Sequence, residues 1–172
     1  MAQRPILEHP NPLLREHSKP VTVFDHSVAS LVEDLRDTLY ATTGIGLCAP
    51  QIGDLRGVLV MDLSDDHSDL NVFINPRIES SEVPGVVEES CLSVPGVVGR
   101  VVRATEIDVV ASDVSGKTFK THLSGMEAVC LQHEMDHLGG RLFVDHLSFF
   151  KRLILRATGR YVPGAAPSKR AA

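Results

Sequence analysis

His133, Glu134 and His137 are the residues whose types and spacing most directly suggest chemistry, because they form a His-Glu-Met-Asp-His run. On a helix, at 100° per residue, the two histidines stand about 40° apart and one turn from each other, so both imidazoles reach a single metal ion. Met126, Val129 and Cys130 fall on the same face, and the histidines therefore project from an apolar stripe rather than into solvent. Burying two imidazoles without partners costs on the order of 1 to 3 kcal/mol each, a cost that a metal ion removes. Glu134 lies about 100° round the helix from His133. That makes it a poor ligand but places its carboxylate where it can act on a water at the metal. The competing reading makes these ordinary polar helix residues, with Glu134 and Asp136 as solvated partners.

A third ligand must come from elsewhere, because the only histidine after His137 is His146 and no glutamate follows. Asp145 qualifies by type. Cys91 is the better candidate, since it sits in EESCLSVPG, in an expected strand flanked by small and turn-forming residues where a thiolate can face the helix. A lone buried cysteine is more often inert core, and Cys130, inside the apolar stripe, keeps that reading. With Cys48 the chain has three cysteines, too few and too odd in number for a disulfide framework.

The element carrying the histidines is expected to begin at Ser124, which has capping-box spacing to Glu127, and to run without Pro or Gly from Met126 to Gly139. An earlier amphipathic helix is expected behind Asp25 and Ser27, with Val28, Leu31, Val32, Leu35 and Leu39 at helical spacing and Gly44 ending the pattern. Asn11 and Pro12 suit a single helical turn over PLLRE. GIGLCAPQIG is rich in Gly and reads as a loop. RGVLVMDL, DLNVFINPRI, VPGVVEESCLSV, VVRATEIDVVAS and KTFKTHL read as short strands, the last two joined through DVSGKT as a hairpin. A third helix is expected from about Ser148 to near Gly159. Helix, strands, helix, helix without regular alternation favours an α+β class.

The chain has 172 residues, 43% of them hydrophobic and 23% charged, which is the composition of one globular unit able to bury a core. Its net charge of −5 argues against a protein that coats nucleic acid with its whole surface. The average conceals a segregation: no acid follows Asp145, whereas Lys151, Arg152, Arg156, Arg160, Lys169 and Arg170 do, so the end of the chain is +6 and the rest −11. The first twenty residues carry Pro and charge where a signal peptide needs an apolar stretch, and no apolar run approaches the roughly 20 residues of a membrane-spanning helix. A cytoplasmic protein is the expectation.

Three separated segments, in the family's order, resemble the signature segments of bacterial peptide deformylases. GIGLCAPQ at 44–51 is similar to GxGLAAPQ, ESCLS at 89–93 to EGCLS, and QHEMDH at 132–137 to QHExDH, with LGGRLF after it agreeing as well. The resemblance implies an α+β, peptide deformylase-like fold of short antiparallel strands packed around a central metal-binding helix, as a single domain over 1–160 with a flexible tail over 161–172. It implies that Cys91, His133 and His137 bind one divalent ion, Fe²⁺ foremost, with Zn²⁺, Ni²⁺ or Co²⁺ also suited, and water in the fourth position. Glu134 then acts as general base and acid while hydroxide attacks the formyl carbon of a formyl-methionyl nascent polypeptide and formate leaves. The side-chain amide of Gln51 and the backbone N–H of Leu92 are implied as oxyanion donors. Gly46 is implied to let the substrate backbone approach. Ile45, Val87, Met126, Val129 and Cys130 are implied around a methionine-sized pocket, with Glu89 and Ser90 at the substrate wall and Glu89 paired to Arg103 as a brace. The basic C-terminal helix fits a family habit of docking on the ribosome.

Two positions depart from the family pattern. Ser90 stands where the family usually has Gly, and Cys48 where it usually has Ala, bringing a second thiol toward the site. Two alternatives to the deformylase stay open on this reading. One is a metallopeptidase, against which the missing downstream ligand counts. The other is a deformylase-like metal protein with weak or no turnover that binds peptide or ribosome.

Overall fold

The computed structural model describes residues 3–159. After a 3-10 turn at Pro12–Arg15 the chain forms α1 (His26–Leu39), β1 (Gly46–Cys48), β2 (Val58–Met61), β3 (Asn71–Cys91), β4 (Val94–Ser112), β5 (Thr118–Ser124), α2 (Gly125–Leu138) and α3 (Phe149–Ala157). The strands make one antiparallel sheet in the order β1-β2-β3-β4-β5. The α+β class is as the sequence implies.

β2 shows how the sheet is enclosed. Its run VLVM is apolar at every position and every residue is buried, the pattern of a strand covered on both faces. Val58 and Val60 join the cluster built on α1, with Leu47 and Ile74. Leu59 and Met61 join the cluster under α2, with Phe73, Ile107, Leu123, Ala128 and Leu131. All five stripe residues of α1 are buried, worth about 1.5–3 kcal/mol per side chain. Asp25 caps this helix through Ser27 N–H as expected, and the helix stops at Leu39, five residues before Gly44.

Several local expectations are corrected. The sheet is not made of short strands only: β3 has 21 residues and β4 has 19, because the segments read as separate strands continue through irregularities between Ile74 and Arg77 and between Ile78 and Ser80. A bulge or register shift absorbs what a pattern reading takes for a break. GIGLCAPQIG is not all loop, since Gly46–Cys48 pair with Leu59–Met61 before a 3-10 turn at Ala49–Ile52. Ser124 precedes α2, yet its side chain makes no capping hydrogen bond. The basic C-terminal residues beyond 159, and the tail expected over 161–172, lie outside the described residues. Among the described residues no helix is long and apolar enough to cross a membrane.

Two contacts hold the segments that carry the site. Tyr40, capping α1, donates its hydroxyl to Asp62 Oδ2 at 2.7 Å, and the Asp62 N–H donates to the Ile45 carbonyl at 2.9 Å, so the end of α1 and the start of the glycine-rich segment are both tied to the residue that follows β2. Past the end of α2, Gly140 has φ +67, and a Cβ there would lie 2.5 Å from the Arg15 carbonyl oxygen.

Gly140→Ala should therefore destabilise the fold by roughly 1–3 kcal/mol, through left-handed strain and displacement of the N-terminal segment, measured as a fall in the urea midpoint. Burial and the hydrogen bond to Asp62 push the Tyr40 phenol from 10.0 up to about 12. Because the folded state holds this proton more tightly, its contribution is whole below pH 10 and lost as pH rises toward 12. Thermal unfolding followed from pH 9 to 12 should show that decline, and Tyr40→Phe should flatten it.

Candidate active site

Cys91 ends β3 immediately before a two-residue turn, and a register shift between Ser90 and Cys91 re-aims the strand at this point. α2 crosses beneath, carrying His133 and His137 one turn apart as the spacing requires. Cys91 Sγ lies 3.2 Å from His137 Nε2, and the ligand atoms of Cys91, His133 and His137 all fall within 4.8 Å of one another. A thiolate and an imidazole sharing one ion at a tetrahedral angle stand roughly 3.5 Å apart, so the cluster has the right scale for a single metal. All three residues are buried. His137 Nδ1 and Glu134 Oε2 are also buried and have no hydrogen-bond partner among the described residues, the state of a polar site shaped for something further. Soft thiolate and imidazole donors together suit a divalent transition metal.

The protonation pattern agrees. Burial by itself raises the Cys91 thiol, but the adjoining His137 and His133 outweigh it and bring the group down to about 6. Glu89 is likewise raised by burial and more than compensated by His133 and Arg103, which hold it at about 2. An ionised Glu89 can only accept, so the 2.8 Å contact with His133 is an Nδ1–H donating to Glu89 Oε2, leaving Nε2 free as a ligand.

Glu89 is itself gripped. Arg103 Nε donates to Oε1 at 2.7 Å and Nη2 to Oε2 at 3.1 Å, while Nη1 donates to Asp136 Oδ2 at 2.6 Å. His146 Nε2 also donates to Asp136 Oδ2, at 2.7 Å, and despite burial His146 and Arg103 hold Asp136 at about 2. The Glu89–Arg103 pair implied by the resemblance is thus present and buried rather than at the surface, and Asp136 is not the solvated partner of the competing reading. Asp145 is excluded as the third ligand because Arg15 and the Leu142 N–H occupy its carboxylate.

A cleft of about 430 Å³ opens over the cluster, and its lining includes Ile45, Gly46, Gln51, Glu89, Ser90, Leu92, Met126, Val129, Cys130 and Glu134 with Cys91 and His133. Met126 is half-exposed at its mouth rather than within a buried stripe. Val87 is not among the lining residues, because it lies two residues along β3 from Glu89, one strand repeat of about 7 Å farther from Cys91. Gly46 has a tighter reason to be glycine than approach of a substrate: a Cβ there would stand 2.7 Å from Cys130 Sγ and 2.9 Å from Glu134 Oε1. Gln51 is buried with Oε1 accepting from the Cys48 N–H at 3.0 Å, which turns Nε2 toward Ser93 Oγ at 3.2 Å and Cys91 Sγ at 3.9 Å.

Cys48 is not part of the metal cluster. Burial and then the Glu134 carboxylate push its thiol well above its usual range, and the proton it keeps is donated to Gln51 Oε1 at 3.2 Å. Ser93, Asp136 and His146 are the participants that sequence reasoning missed. Asp136 lies inside the motif itself, but neither its burial nor the serine and histidine carries a local signal.

The family described as Polypeptide deformylase matches the chain over residues 3–153. A peptide deformylase of Cellvibrio japonicus is 49% identical over 158 residues, covering 91% of this chain and 94% of that protein. One of Pseudomonas aeruginosa is 46% identical over 153 residues, covering 88% and 91%. Among solved structures, a peptide deformylase from Legionella pneumophila superimposes with a TM-score of 0.87 at 46% identity, covering 91% of this chain and 92% of that one.

Arg103→Met should destabilise the protein by about 3–5 kcal/mol, because it leaves Glu89 and Asp136 buried without their shared cation; equilibrium denaturation measures it.

Proposed function

This chain belongs to the polypeptide deformylase family, a metal-dependent hydrolase, and from that premise we propose how its own residues divide the work. The observation that carries the reading is the convergence of Cys91, His133 and His137 at the foot of a cleft that also holds Glu134. These three residues hold one divalent ion. Bound there, the ion supplies Lewis acidity that makes water acidic enough to lose a proton near neutrality and polarises the formyl carbonyl.

Glu134 Oε2, buried and unpartnered, receives the proton of the attacking water and returns it to the departing amine of the peptide, so one carboxylate serves as base and then acid. Gln51 Nε2 and the Leu92 N–H donate to the oxygen that gains charge as the formyl carbon becomes tetrahedral. Cys48 holds the other end of the amide, which fixes the side on which Gln51 Nε2 lies, and one of its N–H groups turns from Ser93 Oγ or Cys91 Sγ to that oxygen. Glu89 keeps His133 in the tautomer that leaves Nε2 available. Ile45, Met126, Val129 and Cys130, which line the cleft, receive the methionine side chain, with Gly46 admitting the substrate backbone and Ser90 along the wall.

The substrates are formyl-methionyl nascent polypeptides, the location is the cytoplasm, and residues 1–160 act as one domain. The metal is Fe²⁺, on the strength of the family resemblance, while Zn²⁺, Ni²⁺ and Co²⁺ also match the donors. The basic C-terminal segment, of which α3 presents Lys151, Arg152 and Arg156, docks against ribosomal phosphates.

Metal-loaded protein should release formate from formyl-Met-Ala-Ser, and Glu134→Ala should slow that release by at least about 10²-fold while binding metal at unchanged stoichiometry. Parallel loss of metal and activity would instead place Glu134 among the ligands.

A further inference from the structure

The alternation of β3 and β4 sorts their side chains cleanly between two faces near the cleft. Glu89, Val97, Val101 and Arg103 are buried, whereas Val86, Glu88 and Ser90 on β3 and their cross-strand partners Val102, Arg100 and Val98 on β4 are exposed. This outward track has the order Ser90 opposite Val98, Glu88 opposite Arg100, Val86 opposite Val102. Its near end belongs to the cleft, because Glu88 and Ser90 line it. Its far end is apolar: Val86 and Val102, directly opposed, are 67% and 64% exposed. A pair of facing β-branched side chains left in water on a sheet is a place where an apolar group gains by settling.

The neighbouring edge of β3 is also open. β2 pairs with β3 only over Asn71–Ile74, so from Arg77 to Cys91 β3 has β4 on one side and no strand on the other among the described residues. An extended polypeptide leaving the cleft along this edge advances about 3.4 Å per residue, as β3 itself does, and its alternate side chains keep step with Ser90, Glu88 and Val86. Val86 is five residues from Cys91, about 17 Å along the strand.

We propose that Val86 and Val102 form a remote subsite of the cleft that holds an apolar side chain of the substrate polypeptide about five residues downstream of its formylated methionine. The proposal rests on the deformylase reading above and extends it from the terminal residue to the segment behind it. A tripeptide substrate is too short to touch the subsite, so selectivity there shows only on longer chains. Glu88 and Arg100, lying between the subsite and Ser90, offer one charge of each sign and exclude neither sign from the intervening positions.

The test compares formyl-Met-Ala-Ser with formylated heptapeptides that carry Leu at position five, six or seven against the same peptides with Ser. Wild type should show KM about fivefold lower for Leu at one of these positions, with kcat unchanged. Val86→Thr/Val102→Thr keeps β-branching and surface shape but removes the apolar pair. It should abolish the preference and leave tripeptide kinetics as in wild type. Equal KM for Leu and Ser heptapeptides, or a preference that survives in the double variant, overturns the subsite while the deformylase reading stands. Absence of formate from the tripeptide with metal-loaded wild type overturns that reading and the subsite with it.

Discussion

Arg103 lies buried between two carboxylates, Glu89 from β3 and Asp136 from α2, and through them it locks the strand that supplies the thiol to the helix that supplies the imidazoles. Ions removed from water in this way are costly unless each is paired and hydrogen-bonded, and here both acids are held at about 2 by the partners around them. The arrangement does more than neutralise charge. Because Glu89 is an obligate acceptor, it dictates which nitrogen of His133 bears the proton, and hence which is free to act as a ligand. His146, reaching Asp136 from beyond the helix, completes a hydrogen-bonded chain from the surface to that ligand.

The site is also shaped by crowding. Glu134 and Cys130 press so closely on β1 that position 46 has no room for a Cβ, which places the Glu134 carboxylate against a backbone wall and limits where it can move. Glu134 Oε2, buried and without a hydrogen-bond partner among the described residues, is left as an acceptor at the cleft. The same closeness explains how the chain accommodates a second thiol. Cys48 is fully buried and keeps its proton, so it acts as a donor to Gln51 and stands apart from the ligand set. Ser90, the other departure from the family's segments, is exposed along the cleft wall, where its side chain meets what enters the cleft and not the core.

Much of this was legible in the chain. The i, i+4 histidines, the N-cap and stripe of α1, the limits of α2 near Ser124 and Gly139 and the hairpin through DVSGKT all depend on residues a few positions apart, where periodicity and turn chemistry operate. Cys91 is singled out by its expected strand and its small, turn-forming neighbours, and the segments resembling deformylases imply Gln51 as well. What misled was local as well: irregularities in β3 imitate strand ends, a glycine-rich stretch hides the three residues of β1, and Met126 has the right spacing for the buried stripe of a helix whose first turn is in fact at the cleft mouth.

The sequence by itself therefore determined which residues could act as ligands and base and on which elements they lie, because those properties follow from residue type and short-range spacing. Only the tertiary structure decided that Arg103 meets Asp136 across 33 positions and that His133 meets Glu89 across 44. Only it decided that Cys91, 46 positions before His137, rather than the nearby Asp145, completes the cluster. Such pairings are set by how β3 and β4 cross α2 and by the loss of water from the space between them, and neither has a signature in the order of neighbouring residues.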